Sequence, residues 1–66
     1  QFGKTLTQII QERIVVEAKR DLALTDKPVK EIARDLGYED PFYFSRLFKK
    51  LSQISPEYFR LNRSRL

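Results

Sequence analysis

Val29–Leu51 reads VKEIARDLGYEDPFYFSRLFKKL, and its spacing separates into two helices with a tight turn between them. Ile32, Ala33 and Leu36 recur at helical spacing, and Gly37 follows where a helix stop favours a residue that tolerates positive φ. Asp40 then offers an N-cap oxygen. Pro41 fits the first helical position, where its missing N–H would have had no partner anyway. A second helix therefore starts at Pro41.

On a wheel that sets Phe42 at zero, Leu47, Leu51, Phe44 and Phe48 fall between roughly 140° and 240° and form a buried stripe. Within roughly 60° of zero lie Phe42, Ser45, Arg46 and Lys49, with Tyr43 and Lys50 on one shoulder. That outer face is basic and carries an aromatic ring. A short helix, a turn holding a glycine and a second helix with a cationic face are the parts of a helix-turn-helix, whose second helix lies in the DNA major groove.

Outward from this unit, Thr5-Leu6-Thr7-Gln8 has the form of a capping box, and a helix free of Gly and Pro runs from it to about Leu24. Thr25-Asp26-Lys27-Pro28 is a loop. The long helix is apolar over a wide arc: Ile14, Val15, Ala18 and Leu22 cover one side, Ile9, Val16 and Ala23 another. Only Arg13, Glu17 and Arg20 make a compact polar seam. Packing on one neighbour needs about 100° of apolar surface, so this helix is built to touch two bodies. The plainer reading has Ile9 and Val16 contacting a homodimer partner or staying partly exposed.

Downstream, Pro28 presets the backbone of the first short helix, Glu31 sits near its start, and Lys30 points outward from the same end. Ser55-Pro56-Glu57 is a third helix start, with a cap, a proline at the first position and an acid in the first turn. Tyr58, Phe59 and Leu61 fold back on the core, and Asn62–Leu66 is a frayed basic end. The expected core is Ile32, Ala33, Leu36, Phe44, Leu47, Phe48, Leu51 and Phe59.

Sixty-six residues allow one small domain, whose packing must suffice because the chain has no Cys and no His. Those absences also remove the commonest metal ligands and the commonest general base. No 18-residue apolar run or charged-apolar leader is visible, which predicts a soluble cytoplasmic chain with no membrane contact. Gln1 in place of Met, and Gly3 where a preceding helix would stop, predict a piece of something longer.

The net charge of +4 is unevenly placed. Residues 1–40 hold seven Lys or Arg against eight Asp or Glu, or −1, whereas residues 41–66 hold six against one, or +5. Such clustering either marks a polyanion-binding surface or simply solubilises. The acids Glu31, Asp35, Glu39 and Asp40 are interleaved with Lys30 and Arg34, the pattern of a solvated face and not of a catalytic cluster. No glycine-rich phosphate loop is present, since the two glycines are Gly3 and Gly37. Neither an enzyme nor a cofactor is expected.

Arg46 stands opposite the core. It is an ordinary surface Arg, a partner for Glu39 or Asp40 across the turn, or a fork-shaped donor for guanine or phosphate. Lys49, Lys50 and Ser45 suit phosphate contacts, as do Tyr43 and Lys30. Phe42 either lies against a thymine methyl group, wedges near the backbone, or packs on the neighbouring turn.

Glu31-Ile32-Ala33, Leu36-Gly37-Tyr38, Asp40, Tyr43-Phe44-Ser45-Arg46, Phe48-Lys49-Lys50, Ser55-Pro56 and Phe59-Arg60 together resemble the C-terminal DNA-binding domain of AraC-type transcription regulators. Upstream, Glu12-Arg13-Ile14 and Glu17-Ala18-Lys19-Arg20 look like the helix that joins two helix-turn-helix units in that family, with Phe2-Gly3 ending the first unit. The resemblance implies a bacterial regulator, often an activator, that binds double-stranded promoter DNA and contacts RNA polymerase. It places effector sensing and any homodimer contact in other regions, with no small-molecule ligand on this part. By position it implies base reading by Pro41, Phe42 and Arg46, and backbone contacts by Ser45, Lys49 and Lys50. Two departures stand out. Gln53 replaces a common Gly, at roughly 1 kcal/mol of strain if its φ is positive, and Phe42 replaces a small residue.

The expectation is thus an all-α, homeodomain-like unit over 1–66, a single partial DNA-binding domain. It has a linker helix over 5–24, a helix-turn-helix over 29–51 and a closing helix over 56–62. The competing class is a helical protein-interaction module whose basic face meets an acidic surface.

Overall fold

A computed structural model describes residues 3–63, and over them every regular element is a helix: α1 (Leu6–Leu24), α2 (Val29–Asp35), α3 (Pro41–Ser52) and α4 (Pro56–Leu61). Each start is fixed locally. At α1 the Thr5 hydroxyl accepts from the Gln8 N–H at 3.1 Å while Gln8 Oε1 accepts from the Thr5 N–H at 3.0 Å, the reciprocal capping box expected. Asp40 Oδ1 accepts from the Phe42 N–H at 2.9 Å, and Ser55 Oγ from the Tyr58 N–H at 3.1 Å, with Pro41 and Pro56 in the first turns that follow. Pro28 stands one place before α2, and its carbonyl accepts from the Glu31 and Ile32 N–H groups.

The turn between α2 and α3 depends on Gly37, whose φ of 98° few side-chain-bearing residues adopt. The Tyr38 N–H returns to the Ala33 carbonyl at 2.9 Å, which closes the end of α2 and aims the chain into α3. Gln53 ends α3 in the left-handed region, at φ 70°, so a residue with a Cβ occupies a position that suits glycine.

The core is built from three helices. Val15, Ala18 and Leu22 of α1, Ile32 and Ala33 of α2, and Phe44 and Phe48 of α3 are buried together, with Ile14, Val29, Leu36, Tyr38 and Phe59 packed partly buried around them. Rings run through it in sequence: Tyr38 to Phe44 at 5.7 Å, Phe44 to Phe48 at 6.2 Å, and Phe48 edge-on to Phe59 at 6.1 Å.

This core differs from the expected one in three ways. Leu51 is 39% exposed, because it lies in the last turn of α3, past Phe48, where the enclosing helices no longer cover it. Of the three α4 side chains expected to fold back only Phe59 does, beside the buried Pro56; Tyr58 and Leu61 face solvent. And α1 supplies three core residues, Val15, Ala18 and Leu22, so it belongs to this unit's interior. Its other side is uncovered: Ile9 is 51% and Val16 60% exposed. Asn62 and Arg63 are tied down, the first by its side-chain amide on the Tyr58 carbonyl at 2.9 Å. The rest of the expected frayed end, and Phe2, lie outside the described residues.

Candidate nucleic-acid interface

Burial of Phe44, Leu47 and Phe48 fixes the rotation of α3 and turns the opposite face to solvent. On that face Phe42, Tyr43, Arg46, Lys49 and Lys50 are exposed, while Pro41 and Ser45 are half-buried. Phe42, Arg46 and Lys49 follow one another at helical spacing, with Tyr43 and Lys50 alongside, which makes a continuous cationic rail. At 12 residues the helix is roughly 18 Å long, a length that a major groove about 12 Å wide can take lengthwise.

The charges on this rail are uncommitted. Elsewhere four cations are paired: Lys4 with Glu12 at 2.9 Å, Arg13 with Glu17 at 3.6 Å, Lys27 with Asp35 at 2.7 Å, and Arg63 with Asp26 at 3.1 Å. Lys19 lies over the Phe59 ring at 5.9 Å. Arg46, Lys49, Lys50 and Lys30 make no ion pair with any described residue, and neither do Arg20 and Arg34 on other faces. Arg46 therefore holds neither Glu39 nor Asp40. A surface of exposed, unpaired cations with a polar hydroxyl beside them is chemically a receptor for a polyanion.

Lys30, Pro41, Phe42 and Ser45 line one shallow groove, closed by Pro28, Val29 and Glu57. The fold thus brings the start of α2, the start of α3 and the first turn of α4 together beside the rail. Four of the eight expected residues share this groove, and Arg46, Lys49 and Lys50 extend from it along α3. Tyr43 sits on the other shoulder, its ring 5.8 Å from that of Tyr38. Burial pushes the Tyr38 hydroxyl pKa up, and neighbouring Tyr43 adds to the effect. Glu57 reads in the sequence only as the acid of a helix start. Its place on the groove wall follows from the packing of α4, which no local spacing shows.

Among the described residues no group of His, Cys, Asp and Glu is placed to hold a metal ion, and no helix is long and apolar enough to cross a membrane.

Comparison with known proteins places these features in a setting. A family model described as a helix-turn-helix domain matches residues 1–62. The xylose operon regulatory protein of Haemophilus influenzae is 40% identical over 62 residues, which are 94% of this chain and 16% of that protein. The arabinose operon regulatory protein of Escherichia coli is 35% identical over 60 residues, 91% of this chain and 20% of its own length. The uncharacterised HTH-type transcriptional regulator YisR of Bacillus subtilis is 43% identical over 59 residues, 89% of this chain and 21% of its own length. The chain accordingly spans 16–21% of these relatives. No solved structure matches it.

Proposed function

This chain belongs to the AraC-type helix-turn-helix family of DNA-binding transcription regulators, and on that premise we propose that it reads a specific promoter sequence by laying α3 in the major groove. The observation that carries the reading is the row of exposed, unpaired cations on the face of α3 opposite Phe44, Leu47 and Phe48. Arg46 is the guanine reader, since its planar fork matches O6 and N7 of that base. Lys49 and Lys50, with Lys30 across the groove and the hydroxyls of Ser45 and Tyr43, hold phosphates and set the register. Pro41 and Phe42 bring the start of α3 against the base edges.

The exposed Ile9 and Val16 side of α1 supports its reading as the helix that links this unit to another helix-turn-helix. Effector sensing and dimerisation belong to further parts of a longer regulator, which acts where promoter DNA is, in the bacterial cytoplasm, with RNA polymerase as a further partner.

The test is the salt dependence and sequence preference of duplex binding by the chain. Three or four phosphate contacts predict a slope of log K against log salt of about −3, together with enrichment of one sequence from a random pool. Binding that ignores salt, or shows no duplex binding at low salt, would transfer the basic face to an acidic protein partner.

A further inference from the structure

We infer that Phe42 is a specificity-determining residue that reads the methyl group of a thymine lying about two base pairs from the guanine read by Arg46. The inference rests on the placement of α3 in the major groove. Phe42 is 75% exposed at the start of α3, and among the exposed side chains of that face it is the one without a polar group, Pro41 being half-buried. Its backbone is fixed from both sides: its N–H is held by Asp40 Oδ1 at 2.9 Å, and Pro41 before it has a preset φ. Phe42 lines the groove beside the apolar residues Pro28, Val29 and Pro41. A ring so placed is presented on the rail at little conformational cost.

Chemistry narrows what that ring can recognise. It offers no hydrogen-bond donor or acceptor, and the one apolar feature that a base pair displays in the major groove is the thymine methyl group. Phosphates and the polar edges of guanine, adenine and cytosine would be desolvated by the ring with nothing returned. Spacing supplies the second half. Phe42 and Arg46 are four residues apart on one face, about 6 Å along the helix axis, and base pairs stack about 3.4 Å apart. The two side chains therefore address positions about two base steps apart. An exposed aromatic ring, costly on a protein surface facing only water, becomes buried when DNA binds.

The experiment begins by enriching a preferred site from a random-sequence duplex pool with the chain. That duplex is then remade with uracil, which is thymine without its methyl group, at each thymine in turn. One replacement should weaken binding about fourfold, the effect of one buried methyl group. It should lie about two base pairs from the position at which Arg46→Ala loses its guanine preference. Phe42→Ala, whose exposed site leaves the fold intact by circular dichroism, should bind thymine and uracil duplexes equally. Indifference of the unaltered chain to every uracil replacement would overturn the inference while leaving Arg46 and the groove placement standing, as would a Phe42→Ala chain that still prefers thymine. Failure to enrich any sequence would overturn both.

Discussion

Arg60 Nε donates to the carbonyl oxygen of Leu22 across 3.3 Å, joining residues at the ends of α4 and α1. The same guanidinium reaches the Thr25 carbonyl at 3.1 Å, and Arg63 donates to both carbonyls at 3.1 Å. The last carbonyls of a helix have no partner within it and carry the negative end of its dipole. No basic residue lies in the last turn of α1 itself, so α4 supplies the missing charge and closes the unit in doing so.

Arg60→Ala should therefore lower stability by about 1.5–3 kcal/mol, the range for hydrogen bonds to a charged group, read as an earlier urea midpoint. Arg60→Lys should recover only part of this, since one ammonium cannot span two carbonyls as a planar fork does. Neither change should alter the salt slope of DNA binding, because Arg60 points at α1 and away from the rail.

Gln53 gives a prediction of opposite sign. At φ 70° it occupies the left-handed region with a side chain, a conformation that costs about 1 kcal/mol and that glycine adopts freely. Part of the gain from relief is returned as extra freedom of the unfolded chain. Gln53→Gly should raise stability by about 0.5 kcal/mol, with an unchanged denaturant slope. A loss of stability on that substitution would show that the Gln side chain contributes more than its backbone costs.

The expectations that held share one property, which is that the residues involved are close in sequence. Thr5 with Gln8, Asp40 with Phe42, Ser55 with Tyr58 and the need for Gly37 are each settled within four residues, and helix boundaries follow from them. The cationic rail is equally local, since Phe44, Leu47 and Phe48 determine which way Arg46 and Lys49 face. What was not legible depends on tertiary placement. The apolar arc of α1 is too wide to show that Val15, Ala18 and Leu22 face this unit. Leu51 lies at the centre of the apolar stripe of α3 by angle, and only the reach of the neighbouring helices leaves it exposed. Arg60 meets a carbonyl 38 positions away in sequence, a pairing that no spacing encodes.

The ring series makes Phe48 the residue whose loss is least tolerated. It is fully buried and touches Phe44 on one side and Phe59 on the other. Phe48→Ala should cost about 3–5 kcal/mol, comparable with the whole stability of a domain this small, and the amide NMR spectrum should collapse. Leu51→Ala, on the same helix face but 39% exposed, should leave the spectrum dispersed.

Among the described residues, two groups make stability fall at alkaline pH. Lys27 has its pKa raised by the hydrogen bond to Asp35 and by that carboxylate's charge, and Tyr38 has its own raised by burial first and by Tyr43 second. A pKa that is higher folded than unfolded means that the folded state holds its proton more tightly. The contribution is full below the unfolded pKa and disappears as pH rises through the folded one. Both losses therefore fall in the alkaline range of lysine and tyrosine. Asp35→Asn should remove the lysine part alone, leaving a shallower alkaline decline that Tyr38→Phe then flattens.

Arg46 and Lys49 are neighbours on one face of α3, yet different roles predict different deficits. A bidentate contact to guanine discriminates among bases, so Arg46→Ala should weaken the enriched site by about 1–3 kcal/mol and relax preference at one position, with random duplex affected far less. A phosphate contact carries no sequence information. Lys49→Ala should weaken enriched and random duplexes by the same factor and make the log K against log salt slope shallower by about one. Neither residue is paired to a described acid, so neither substitution strands a partner, and thermal unfolding of both variants should match the unaltered chain. Equal losses on both duplexes for Arg46→Ala would reassign Arg46 to the phosphates, and base reading would then fall to Phe42 and the start of α3.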